Sequence, residues 1–297
     1  MKTPAAEISI DESLIRSLVQ QQFPRLSDLP LTYLNEGWDN VMYRLGDEYL
    51  IRIPRRQQAV PFIEREQRWL RQLAPHLPLP TPVPLHLGMA QDNYPWPWSI
   101  VSWQDGKMAA GQNIVDSEAE RLALFLQTLH QFPVPEAPPH NPQRSCTLSA
   151  KADGTQQRMD TFLASGLIST DIINHWEKAV ELNCPDNQRS LIHGDLHPKN
   201  ILVQDGSITA IIDWGDFTLG DPATDLAIIW MLFSKKQVRT NALQTYQADQ
   251  ELVGRAIGWA IFFGTILLDI GLGGDELFLE VGQKTLANLS DTDWPIA

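Results

Sequence analysis

Apolar residues recur at helical spacing through Asp11–Phe23, behind an acidic, capping start, and predict a surface helix. After Pro24 and Pro30 the texture becomes β-like. Short strands are predicted at Leu31–Leu34, Val41–Leu45 and Tyr49–Ile53, separated by Glu36–Asn40 and Gly46–Glu48. Phe62–Leu73, rich in Glu, Arg, Gln and Leu, predicts a helix. Prolines at 75, 78, 80, 82 and 84 then lead into strands near Leu85–Gly88 and Trp98–Trp103. From Ser117 onward helices dominate, the strongest being Glu118–Gln131, Thr170–Leu182 and Ala223–Phe233. Leu243–Leu289 reads as apolar helical runs alternating with glycine breaks, and proline-rich Phe132–Pro142 as a loop or linker. One hairpin interrupts this half. In 201–213, β-branched apolar residues flank Asp205-Gly206, a pair suited to a turn whose two central residues need positive φ. A small β-rich first third and a helical remainder make an α+β protein.

At 297 residues the chain has room for two lobes or one large domain. Two cysteines, Cys146 and Cys184, make neither a disulfide framework nor a metal-ligand spacing, so reduced thiols are expected. The N-terminal residues lack the apolar run of a leader. The longest uncharged, mostly apolar stretch, Ala256–Leu268, is short for a bilayer and predicts a buried helix. These readings predict a soluble, cytoplasmic protein without a membrane partner. The net charge of −13 is uneven: residues 1–104 carry −1 and residues 105–297 carry −12. An acidic surface repels nucleic acid and attracts cationic small molecules, although it also serves simply to keep a protein soluble.

The densest chemistry lies in His193-Gly-Asp-Leu-His-Pro-Lys-Asn200, with Asp213 thirteen residues beyond that Asn. The hairpin returns Asp213 to Asn200, with Asp195 just ahead of them. Two carboxylates and an amide at one strand edge suit a hard cation such as Mg²⁺, with room for water and phosphate oxygens. Loop-capping Asp and Asn residues would explain the octapeptide alone, but not the features upstream.

An Asp followed five residues later by Asn, with Asp213-Trp-Gly215 downstream, resembles the catalytic loop of protein kinases. The His-Gly-Asp-x-His-x-x-Asn form resembles instead the aminoglycoside phosphotransferase family, with its choline, homoserine and macrolide kinase relatives. The resemblance implies a bilobal, protein-kinase-like fold. Residues 1–104 would be a nucleotide-binding lobe ending at the hinge, and 105–297 a catalytic and substrate-binding lobe. Asp195 would be the base or positioner for the acceptor hydroxyl, and Asn200 and Asp213 would hold Mg²⁺ on the phosphates of ATP or GTP. Gly37, in the turn Glu36–Asn40, would lie over those phosphates. Arg52 would stand where the family carries Lys, paired with Glu66, for which Glu64 competes. A surface salt bridge is the alternative, with Arg55 and Arg56 solvated. In Ser99–Gly106, read as the hinge strand, adenine contacts fall on the backbone of Ser102 and Gln104; Trp103 fits either hinge or core. Asp225, near a helix start marked by Asp221 and Pro222, would support the catalytic loop. His193 and His197 read as structural hydrogen-bonding residues, while His130 and His175 carry no signal.

The implied activity is Mg²⁺-dependent phosphoryl transfer to a hydroxyl of a small molecule. The first candidates are aminoglycoside-type antibiotics or related amino-alcohols and sugars, which would make this an antibiotic-resistance enzyme. Macrolides, homoserine, choline and sugars remain open, as does a catalytically silent nucleotide-binding module. Carboxylates available to an ammonium group are Asp160, Asp216, Asp269, Asp275 and Glu276. Trp230 and Trp259, in apolar helices, read as core rather than as an aromatic cage. A monomer or homodimer is expected.

Overall fold

The computed structural model describes residues 5–295; residues 1–4, part of the stretch read above for a leader, and 296–297 lie outside the described residues. The chain divides into two compact units. Met1–His76 with Pro80–Gln104 forms the first, and Leu77–Leu79 with Asp105–Ala297 the second.

In the first unit, helix α1 (Glu12–Gln22) precedes strands β1 (Leu31–Glu36), β2 (Asn40–Leu45) and β3 (Tyr49–Pro54). Helix α2 (Val60–Leu73) and strands β4 (Pro84–Gly88) and β5 (Trp98–Ser102) follow. The sheet is antiparallel, in the order β1-β2-β3-β5-β4. Asp11 caps α1, its Oδ1 accepting from the Leu14 N–H at 2.8 Å. Val41, Tyr43, Leu45, Ile51, Ile53, Trp98 and Ile100 form the core with Ile15, Leu18 and Val19 of α1. Side chains alternate across a strand, so Arg52 projects to the face opposite Ile51 and Ile53. Along α2 the buried residues are Val60, Ile63, Glu66, Leu70 and Leu73, one helical stripe in which Glu66 is the one charged member.

In the second unit, β6 (Lys107–Met108), α3 (Glu118–His130), α4 (Ala152–Ala164) and α5 (Thr170–Val180) lead to β7 (Ser190–Ile192). The hairpin of β8 (Ile201–Gln204) and β9 (Ser207–Ile211) follows, then β10 (Thr218–Gly220). The helices α6 (Ala223–Leu226), α7 (Ile228–Leu232), α8 (Lys236–Tyr246), α9 (Gln250–Leu272) and α10 (Glu276–Ser290) complete it. The turn of the hairpin has Asp205 at φ 51° and Gly206 at φ 81°, as an Asp-Gly turn requires. Strand β6 joins β8 in a three-stranded sheet, while β7 and β10 pair antiparallel.

Several expectations need correction. Strands β7 and β10 break the helical half outside the hairpin, helix α4 was not anticipated, and Ala223–Phe233 is two short helices rather than one. Gly273 and Gly274 separate α9 from α10 as expected, but the other glycines of the two helices do not break them. Helix α9 runs through Gly254, Gly258, Gly264 and Gly271 without interruption, and α10 through Gly282. They permit close approach instead: a Cβ on Gly271 would lie 2.3 Å from Leu279 Cα, and one on Gly282 2.4 Å from the Leu268 N. Gly271→Ala should therefore destabilise the protein by about 2 kcal/mol, overpacking exceeding the gain in helix propensity, read as a lower denaturant midpoint with unchanged slope. An unchanged midpoint would show that α10 can move aside. Helix α9 is long and apolar enough to cross a membrane, but 78% of its apolar window is buried inside this protein. Trp230 and Trp259 are core residues.

Candidate active site

The sharp turn after β7 carries the polar octapeptide. His193 sends Nε2 to the Ile212 carbonyl at 2.9 Å, and the Ile212 N–H donates to the Asn200 carbonyl at 2.9 Å. These bonds set Asp213 beside Asn200 at the open end of the hairpin, opposite its Asp205-Gly206 turn. The Asn200 Nδ2 donates to the Asp195 carbonyl at 2.9 Å, which fixes the amide plane and turns its oxygen the other way. His197 accepts the Lys199 N–H through Nδ1 at 3.2 Å, capping the short 3₁₀ turn Pro198–Asn200. Asp213 adopts a left-handed conformation, φ 63°, which Asp tolerates better than most residues and which is common at functional sites. Trp214 behind it is fully buried and packs on His193, with ring centroids 4.8 Å apart.

Asp225 holds this loop from beneath. Its Oδ2 accepts the His193 N–H at 2.7 Å and its Oδ1 the Gly194 N–H at 2.9 Å. His130, which had no recognisable signal, meets Asp225 Oδ2 through Nε2 at 3.2 Å and the Tyr246 hydroxyl through Nδ1 at 2.8 Å. Burial would raise the Asp225 carboxyl, but the bond and charge of His130, His193 and the Gly194 N–H outweigh it and hold it below the usual carboxylate range. A carboxyl depressed on folding adds stability above its unfolded value and loses it as pH falls through the folded one. Asp225→Asn should thus cost about 3 kcal/mol at neutral pH, because an amide leaves one buried N–H without an acceptor. The gap between wild type and variant should close in acid; denaturation curves at several pH values would show it, and a constant gap would contradict the ionised role.

Asp195 sits under a second set of contacts. Arg144 Nη2 lies 2.6 Å from Asp195 Oδ1 and 2.8 Å from Asp216 Oδ2, while its Nε donates to Asp216 Oδ2 at 2.9 Å. Asn141 Nδ2 donates to Asp216 Oδ1 at 2.7 Å. Burial would raise the Asp195 carboxyl; Arg144, then His197 and His193, overcome that and keep it low. Burial likewise pushes the His197 imidazole below its usual range, against the pull of Asp195 and Asp213. Lys199 reaches Asp275 at 2.7 Å and lies 3.5 Å over the Phe278 ring.

In the first unit, Arg52 Nη1 meets Glu66 Oε1 at 2.5 Å with both side chains buried, while Glu64 is exposed. This is no surface salt bridge. Arg55 and Arg56, expected to be solvated, brace the Gly37 turn. Arg55 is buried, donates to the Gly37 carbonyl at 3.0 Å and lies 3.6 Å from Glu36; Arg56 pairs with Asp39 at 2.6 Å. The side chains at the tip of β3 fold back onto the β1–β2 turn, because a carboxylate and a carbonyl there satisfy them. The Ser102 N–H donates to the Val83 carbonyl at 3.0 Å, so a nucleotide contact at this residue must use another atom. Gln104 Nε2 turns back to Ser102 Oγ at 3.0 Å. Arg44 stacks on Trp103 at 4.2 Å.

Residues 30–260 match the model of the phosphotransferase enzyme family. The chain belongs to this family. Among curated proteins, it is 32% identical over 127 residues to an aminoglycoside 3'-phosphotransferase of Escherichia coli (41% of this chain, 44% of that protein). It is 38% identical over 72 residues, 24% of each chain, to the uncharacterised protein YcbJ of Bacillus subtilis (strain 168). The chain thus spans less than half the length of these curated relatives. Among solved structures, the GDP complex of aminoglycoside 2'-phosphotransferase-IIIa superposes with a TM-score of 0.65 at 18% identity, covering 95% of this chain and 99% of that one. The macrolide 2'-phosphotransferase MphH from Brachybacterium faecium gives 0.60 at 21%, with 95% and 99% covered. At these identities the likeness shows the fold.

Within this phosphotransferase family chain, the donor set at the loop fits a small hard cation. Among the described residues no group of three or more His, Cys, Asp or Glu side chains is arranged to hold a metal. Asn200 and Asp213 together offer an amide oxygen and a carboxylate, few enough to leave positions for water and phosphate oxygens, the coordination Mg²⁺ favours. The sequence did not single out Arg144 or His130. Each acts on a partner 51 or 95 positions away, and no local pattern announces such a contact.

Proposed function

We propose that this protein transfers the γ-phosphoryl group of ATP or GTP to a hydroxyl of a small molecule. The observation that carries this reading is the convergence of Asp195, Asn200 and Asp213 on one loop and hairpin end, where Asp225 accepts the His193 and Gly194 N–H groups. In this reading Asp195 receives or orients the acceptor hydroxyl proton, and Asn200 and Asp213 are the metal ligands. A Mg²⁺ ion there would neutralise phosphate charge and keep the γ-phosphoryl in line. Residues 1–104 serve the nucleotide and 105–297 the chemistry and the acceptor. Arg52, pinned by Glu66, presents a fixed cation to the phosphates in place of the family's Lys, and the turn at Gly37, held by Arg55 and Arg56, offers backbone N–H groups. In the step itself, a bond forms between the acceptor oxygen and the γ-phosphorus. The bond to the bridging oxygen breaks, and a nucleoside diphosphate leaves.

The −12 charge over 105–297 supports an ammonium-bearing acceptor of aminoglycoside type. A macrolide-type acceptor is the second reading. Two of the carboxylates that would have served ammonium groups are already neutralised, Asp216 by Arg144 and Asp275 by Lys199. Release of ADP or GDP measured with kanamycin, erythromycin, choline, homoserine and sugars separates these readings. Turnover with one of them supports the proposal and names the class. Clear nucleotide binding with no turnover, even to water, would make the protein a silent nucleotide-binding module.

A further inference from the structure

We propose that Arg144 is a positioning residue for phosphoryl transfer, holding one oxygen of Asp195 so that the other is presented to the acceptor hydroxyl. The inference rests on the reading that Asp195 faces the acceptor. The two Asp195 oxygens are not equivalent. Oδ1 is engaged by Arg144 Nη2 at 2.6 Å, while Oδ2 lies 3.6 Å from His197 Nε2, beyond hydrogen-bond range. A carboxylate held at one oxygen by a charged donor cannot rotate freely, and its second oxygen keeps a fixed direction.

The arginine is itself held from both sides. Asp216 Oδ2 accepts from its Nε and lies 2.8 Å from its Nη2, and Asn141 Nδ2 donates to the other oxygen of Asp216. The turn bearing Arg144 is fastened to β10: the Asn141 N–H donates to Thr218 Oγ1 at 2.9 Å, and Ser145 Oγ meets the same hydroxyl at 2.7 Å. The Arg144 and Ser145 N–H groups both donate to the Asn141 carbonyl, at 3.0 and 2.7 Å. Gly194, just before Asp195, has φ 83°, and a Cβ there would lie 3.3 Å from Arg144 Cβ and 2.9 Å from the Asp216 carbonyl. The catalytic loop is thus shaped to let this side chain lie across it. Asp195, Asp213 and Asp216 crowd charge where phosphates are to arrive, and Arg144 pairs with two of them, Asp195 and Asp216. A fixed cation there lowers repulsion of the transferring group without moving during the reaction.

The test compares Arg144→Ala and Arg144→Lys with wild type, using Mg·ATP and Mg·GTP. The acceptor is whichever of kanamycin or erythromycin is turned over, or water if neither is. Arg144→Ala should lower kcat roughly 100-fold while nucleotide KM stays within about twofold. Arg144→Lys should recover part of kcat, since Lys keeps the charge but lacks the fork that reaches two carboxylates. Arg144 is a quarter exposed, so millimolar guanidinium should reach the vacated space and restore turnover to the Ala variant. An unchanged kcat, a loss confined to KM, or a loss that guanidinium does not restore in a folded variant would overturn the proposal. Asp195→Asn, run alongside, keeps the two ideas apart. If it retains turnover, the reading of Asp195 fails; if it is inactive while Arg144→Ala is normal, only the role of Arg144 fails.

Discussion

Asp195→Asn lowers phosphoryl transfer roughly 1,000-fold and leaves nucleotide affinity within about twofold of wild type. The size follows from the chemistry. A positioned base contributes on the order of 10² to 10⁴ in rate, and an amide of the same shape can neither take the hydroxyl proton nor offset its developing charge. The substitution is also mild structurally. The Asn oxygen can still accept from Arg144, and the backbone carbonyl of this residue, which receives the Asn200 amide, is untouched. Single-turnover rates with saturating nucleotide, set beside the nucleotide dissociation constant, measure both quantities. Equal loss of binding and turnover would move Asp195 from the acceptor to the nucleotide.

Asp213→Asn should weaken Mg·nucleotide binding roughly 100-fold, about 2.7 kcal/mol, and leave metal-free nucleotide binding unchanged. Asn tolerates the left-handed backbone at this position as well as Asp does, so the fold is kept while the charge is lost. The prediction therefore isolates the carboxylate. Calorimetric titration with Mg²⁺, and again with chelator, gives the two affinities. If the variant binds Mg·nucleotide as wild type does, Asp213 is not a metal ligand, whatever its proximity to Asn200.

What could be read in advance was what is local. An Asp-Gly pair between β-branched residues demands one turn, and that turn brings the chain at Asp213 back toward Asn200. Glu66 was legible only through the spacing of the resembled family; the structure supplies the physical reason, a carboxylate on an otherwise apolar helix stripe made tolerable by buried Arg52. The readings that failed depended on contacts distant in sequence. Arg55 and Arg56 resemble solvated arginines until the strand pairing sets them against Glu36, Gly37 and Asp39. Glycine signals both a helix end and a close helix crossing, and in α9 and α10 only the packing of one against the other decides which. Strands β7 and β10, three residues each, are too short to carry a pattern. Arg144 lies near a proline-rich stretch read as linker, with nothing local to mark it as a partner of the octapeptide.

We expect this loop and hairpin to move a phosphoryl group from nucleotide to hydroxyl. This expectation is tested most directly by ³¹P NMR of wild-type protein with Mg·ATP or Mg·GTP and the acceptor panel, with Asp195→Asn as the control. A new phosphate monoester resonance should grow as the γ-phosphate signal falls, and be absent with the variant. Nucleotide that binds but keeps its γ-phosphate under every condition, or a product formed equally well by the variant, would contradict that expectation.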